Sequence, residues 1–147
     1  MSKRLGLLVM VVLLLCTSSA VVSAKELPVS LPGNGSYIIV PAHGTGIEPL
    51  TVYNSITQGA TNWESKTVSS YITTLNVNLN WGNPSNSLQL TIYSPDGYVF
   101  GPYYDSSDGV TDGRINLNIQ NSNGIAEGTW YYAVYGYRVS GTQTYSI

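Results

Sequence analysis

Three aspartates, Asp105, Asp108 and Asp112, fall within eight positions in the stretch Asp-Ser-Ser-Asp-Gly-Val-Thr-Asp-Gly. Calcium takes roughly six to eight oxygens from carboxylates, carbonyls and water, and a glycine-bearing loop can turn its carbonyls toward one ion. Asp96, in the turn Ser94-Pro-Asp-Gly97, joins that set if its hairpin lies at the same end of the fold. The spacing lacks the closing Glu of an EF-hand. Asp-Gly pairs also make plain turns, in which each carboxylate accepts backbone N–H bonds. The sequence leaves both readings open, with calcium as the one candidate ion. A second group, Tyr103, Tyr104, Tyr131, Tyr135 and Tyr137, offers amphipathic rings suited to stacking on a glycan or to protein contact. Catalysis finds little to work with. One His (His43) and one Cys (Cys16) exclude a multi-histidine metal site, a Cys-His pair, a cysteine zinc site and a disulfide framework. Glu64 and Glu127 make a glycosidase pair only if the fold sets them across a cleft, and nothing in their spacing does so. No enzymatic activity is expected.

The elements that must position these residues follow from composition and periodicity. The 147 residues suffice for one domain, and only 10% are charged against the roughly 25% usual in globular chains. Lys3 and Arg4 precede an apolar run from Leu5 to Cys16, and Val22-Ser-Ala24 supplies a small-residue cleavage site, the three-part pattern of a secretory signal over 1–24. The run is shorter than the roughly 20 residues a membrane span needs. The chain is therefore expected to be secreted or held at the cell surface, without membrane insertion after signal removal. Beyond Ala24, four basic residues (Lys25, Lys66, Arg114, Arg138) face eight acidic ones, a net charge of −4. Such scattered cations form no basic patch, so nucleic acid is not an expected partner.

Strict alternation marks the strands. Leu75, Val77, Leu79 and Trp81 alternate with Asn76, Asn78 and Asn80; Leu88, Leu90 and Ile92 with Gln89, Thr91 and Tyr93; Ile115, Leu117 and Ile119 with Asn116, Asn118 and Gln120. Over Thr129 to Tyr137 both alternating sets are largely apolar or aromatic, which predicts a central strand whose outer face is covered or used for contact. Weaker strands are expected over 36–40, 64–68, 98–100 and 142–146, separated by Gly, Pro and Asn turns. The Asn-rich faces are expected to meet solvent. No window keeps a helical period. These features predict an all-β fold, an antiparallel, jelly-roll-like β-sandwich of seven to eight strands over 56–147. Residues 25–55, rich in Gly and Pro, read as a lead-in segment or stalk with at most one strand. Asn34-Gly-Ser36 is a formal glycosylation sequon.

Residues 56–147 resemble the pre-peptidase C-terminal domain family of secreted proteases. The resemblance lies in Leu75-Asn-Val-Asn-Leu-Asn-Trp81, Leu88-Gln-Leu-Thr-Ile-Tyr-Ser-Pro-Asp-Gly97, Gly128-Thr-Trp-Tyr-Tyr-Ala-Val-Tyr-Gly-Tyr137 and a closing strand with Tyr145. It implies a jelly-roll sandwich that can bind calcium and assist secretion, folding or substrate binding of an attached enzyme. No peptidase motif accompanies it here. The expected function is a non-catalytic accessory module that recognises an extracellular polysaccharide or protein. A structural component of a cell envelope or surface assembly, and a separately encoded peptidase chaperone or inhibitor, are the alternatives.

Overall fold

A computed structural model describes residues 27–28, 37–42 and 51–147. The expected signal segment, Cys16, the sequon and His43 lie outside these residues. Among the described residues ten strands run in chain order: β1 (Leu27–Pro28), β2 (Ile38–Pro41), β3 (Tyr53–Thr57), β4 (Thr61–Val68), β5 (Thr74–Asn80), β6 (Ser87–Tyr93), β7 (Val99–Tyr103), β8 (Arg114–Gln120), β9 (Gly128–Arg138) and β10 (Thr142–Ser146). A single 3₁₀ turn, Asp105–Asp108, lies between β7 and β8.

The strands pair antiparallel in two sheets, ordered β1-β2-β8-β5-β10-β3 and β4-β9-β6-β7. From β3 to β10 the chain crosses between the sheets at every step except the β6–β7 hairpin, which stays within the four-stranded sheet. The eight strands β3 to β10 match the expected sandwich, and β1 and β2, from the lead-in segment, extend the larger sheet beyond β8. Tyr37 and Ile39, which precede the expected start of the domain, are buried in the core.

Alternation explains which face each strand buries. Leu75, Val77 and Leu79 of β5 meet Leu88, Leu90 and Ile92 of β6 across the sandwich, with Ile115, Leu117 and Ile119 of β8 beside them, all essentially inaccessible to water. Each such aliphatic side chain stabilises the fold by about 1.5–3 kcal/mol. Aromatic residues pack one end of this core. Trp130 stacks on Phe100 at 6.1 Å, and Tyr37 packs edge-on against Phe100 at 5.3 Å. The Trp130 indole N–H donates to the Ala126 carbonyl at 3.0 Å, so its one polar atom is satisfied. Tyr37 donates its hydroxyl to Asp96 at 2.7 Å, and burial together with that carboxylate pushes the phenol up to about 12.

Candidate functional site

β9 is the central strand that both of its apolar faces predict. Trp130, Tyr132 and Val134 point into the core, while Tyr131, Ala133, Tyr135 and Tyr137 face outward. Register places Ser65, Tyr131 and Tyr93 in one row across the outer face of the four-stranded sheet. The next rows are Trp63, Ala133 and Thr91, then Thr61, Tyr135 and Gln89. Trp63 is 60% exposed and Tyr131 50%. The small Ala133 leaves room above β9, and the Trp63 and Tyr93 rings meet there with centroids 5.4 Å apart. The polar residues between these rings (Thr61, Ser65, Thr67, Gln89, Thr91 and Thr129) are all uncharged.

At the far end of this strip a β-bulge interrupts the pairing of β6 with β9. Leu88 pairs with Gly136 and Ser87 with Arg138, which leaves Tyr137 as the extra residue. A bulge re-aims the side chain it carries. The Tyr137 ring packs edge-on against Tyr104 at 5.0 Å, and the Arg138 guanidinium carbon lies 5.9 Å from its centroid. Gln58 fixes this stretch from the β3–β4 turn: its amide donates to the Tyr137 carbonyl at 2.9 Å and its oxygen accepts the Val139 N–H at 2.7 Å.

Of the five tyrosines singled out from sequence, four thus reach the outer face or its end. Tyr103 does not. It pairs with Leu90, is 3% exposed, and burial raises its phenol to about 12. Trp63, the most exposed ring of the strip, was missed, because the residues around it read only as a weak strand.

The aspartates fall in two places, and Asp105 and Asp108 are bonded to their own loop. Asp96 sits in the β6–β7 turn, at the opposite end of that hairpin from the loop holding Asp105, Asp108 and Asp112. Asp105 is 5% exposed, and its carboxylate accepts the backbone N–H groups of Asp112, Gly113 and Arg114 at 3.0–3.3 Å. Asp108 accepts the N–H of Asn116 at 2.8 Å and of Val110 at 3.2 Å. Among the described residues no group of three or more His, Cys, Asp or Glu side chains converges on an ion position. Asp96 thus stands apart from the other three, and the Asp105 and Asp108 carboxylates tie the loop's own backbone together.

Burial raises the Asp108 carboxyl above the ordinary aspartate value, and the nearby Asp112 and Asp105 charges push the same way against its two N–H bonds. A raised acid keeps its proton in the folded chain at pH values where the unfolded chain has lost it, so its contribution to stability falls as pH rises through that window. Relative to Asp108→Asn, the wild-type melting midpoint is expected to rise as pH drops from 7 toward 4. A difference that stays flat across that range contradicts the assignment.

The Asn-rich face of the larger sheet also departs from expectation. Asn76 donates to the side-chain oxygens of Asn116 at 3.1 Å and Asn118 at 2.9 Å, and Arg114 donates to Asn78 at 2.7 Å. Asn116 is only 5% exposed. These amides satisfy one another instead of standing open to a ligand. A cleft of about 430 Å³ opens where β10 pairs with β5 only at Ser146 and Asn80, with Glu64, Asn76 and Ile147 in its lining. Glu64 accepts hydrogen bonds from the Tyr145 hydroxyl at 2.7 Å and Asn54 at 2.9 Å, which fixes it as a link between the sheets.

No family model matches this chain. A 47-residue stretch, 32% of the chain, is 53% identical to an uncharacterized protein of Archaeoglobus fulgidus. It covers 65% of that relative, so the match spans just under two thirds of the archaeal protein's length.

Proposed function

We propose that this protein is an extracellular, non-catalytic module that binds a polysaccharide through the outer face of its four-stranded sheet. The observation that carries the reading is the exposed Trp63 ring packed against the half-buried Tyr93, with Tyr131 and Tyr135 beside them on a face of uncharged polar residues. A sugar presents a C–H face that stacks on aromatic rings and a rim of hydroxyls that Thr, Ser and Gln side chains can bond. A rigid sheet holds the rings in place before binding, which limits the ordering cost of association. The signal pattern over 1–24 supports export. The resemblance to protease accessory domains supports a role in bringing a partner enzyme or cell surface to its substrate.

Binding to insoluble cellulose, chitin, mannan and xylan tests the reading. At least one is expected to retain the wild-type protein. Trp63→Ala and Tyr131→Ala are each expected to weaken retention about tenfold, the scale of one lost anchor of roughly 1.4 kcal/mol. Both residues are half exposed or more, so their melting midpoints should stay close to wild type. Retention that ignores both substitutions would place the function elsewhere, and binding to a protein partner alone would replace the glycan reading.

A further inference from the structure

The aromatic strip does not end where the sheet's regular pairing ends. Beyond Tyr135 lies a cleft of about 310 Å³ whose lining includes Ser87, Tyr104, Ser106, Thr111, Tyr137 and Arg138. Its ring surface is the Tyr104–Tyr137 pair, turned toward it by the bulge that makes Tyr137 the extra residue of β9. Hydroxyls of Ser87, Ser106 and Thr111 and the Arg138 guanidinium supply hydrogen-bonding groups around it. Asp105 and Arg138 are the charged residues of the lining, one of each sign, so the lining carries no net charge.

The strip and the cleft are continuous along one strand. From Tyr131 to Tyr137 is six residues of β9, about 20 Å at the strand rise of roughly 3.3 Å per residue. Rings recur along that length: Tyr131, the Trp63–Tyr93 pair beside Ala133, Tyr135, then Tyr137 with Tyr104. One sugar ring covers only a fraction of it.

We infer that the ligand is an extended, uncharged polysaccharide chain lying along β9, with several sugars on the strip and one held in the Tyr104–Tyr137–Arg138 cleft. This rests on the polysaccharide reading and adds to it the direction, length and charge of the bound chain. The site selects a chain interior over a chain end, because the strip offers equivalent stacking along its length and no single enclosed pocket.

Titration with oligosaccharides of one to six units, cut from whichever neutral polysaccharide retains the protein, tests the inference. Affinity is expected to climb as units are added and to level off once the strip and cleft are filled. Tyr137→Ala should weaken the longest oligosaccharide about tenfold while leaving the dimer unchanged. Trp63→Ala should weaken both. A monosaccharide that binds as tightly as the hexamer, or a Tyr137→Ala loss equal for dimer and hexamer, would overturn the extended mode while leaving polysaccharide binding intact. Preference for a uronic acid chain of equal length would overturn the neutral class. A protein that binds no oligosaccharide and no polysaccharide fails both readings together.

Discussion

Replacing Gly136 with alanine is expected to lower the melting midpoint by roughly 10 °C, corresponding to about 3 kcal/mol. A Cβ built at Gly136 runs into the backbone carbonyl oxygen of Thr57, well inside contact distance. That oxygen cannot swing aside like a side-chain tip. It accepts the Ala60 N–H at 3.2 Å, and the turn it belongs to is stitched to β9 by Gly59 N–H to Gly136 O at 2.9 Å and Gly136 N–H to Ala60 O at 3.0 Å. The methyl must either push the turn off β9 or bend β9 away from β6. Either movement loosens the Gln58 clamp on Tyr137 and Val139, so the same variant should weaken long-glycan binding more than dimer binding. Calorimetry and titration of one preparation read both effects. A midpoint within 2 °C of wild type would show that the turn yields, and that the close approach does not set the end of the strip.

The contrast between this glycine and the strands around it shows what local pattern conveys. β5, β6, β8 and β9 are visible in the sequence because their alternation records a face in water and a face in the core. Gly136 interrupts an aromatic run without a turn, and only the long-range approach of the β3–β4 turn explains it. Tyr103 shows the same limit in another form. Counting by twos from the buried Phe100 puts position 103 on the outer face, but the β6–β7 pairing shifts register between Leu90 and Ile92, and the shift turns Tyr103 inward. Bulges change parity, and their positions depend on the neighbouring strand. Trp63 was hidden for a third reason. β4 is an edge strand whose inward positions include Asn62, Glu64 and Lys66, so its alternation is polar on both faces and carries little signal. The register of β4 against β9 is what brings the indole onto the strip. The amide network follows the same logic: alternation marks Asn76 and Asn116 as facing away from the core, but only strand pairing shows that they face each other.

The acidic loop supplies the other large effect. Asp105→Ala is expected to cost about 3 kcal/mol, because it removes a buried carboxylate that is the common acceptor of three backbone N–H groups, that of the buried Gly113 among them. A buried donor left without a partner costs about 1–3 kcal/mol, and bonds to a charged group lie toward the upper end. Asp105→Asn separates this from a charge effect. Oδ1 alone accepts from Asp112, Gly113 and Arg114, and Oδ2 adds one longer bond from Gly113. An asparagine that keeps its carbonyl oxygen in the Oδ1 position preserves most of the set, so the loss should fall to about 1 kcal/mol. If the loop instead served an ion, the asparagine would fail nearly as badly as the alanine, since calcium favours carboxylate oxygens. Calcium supplies the second readout. A ligand that binds only the folded state raises the melting midpoint by mass action, and carboxylates already spent on backbone N–H groups have little left to offer one. The wild-type midpoint is therefore expected to be the same in millimolar calcium and in excess chelator. A calcium-dependent rise that Asp105→Asn abolishes would mean that the loop opens its carboxylates to an ion in solution. Asp105 and Asp108 thereby do structural work: they hold the loop that follows Tyr104 and Ser106, and so support one wall of the cleft at the end of β9.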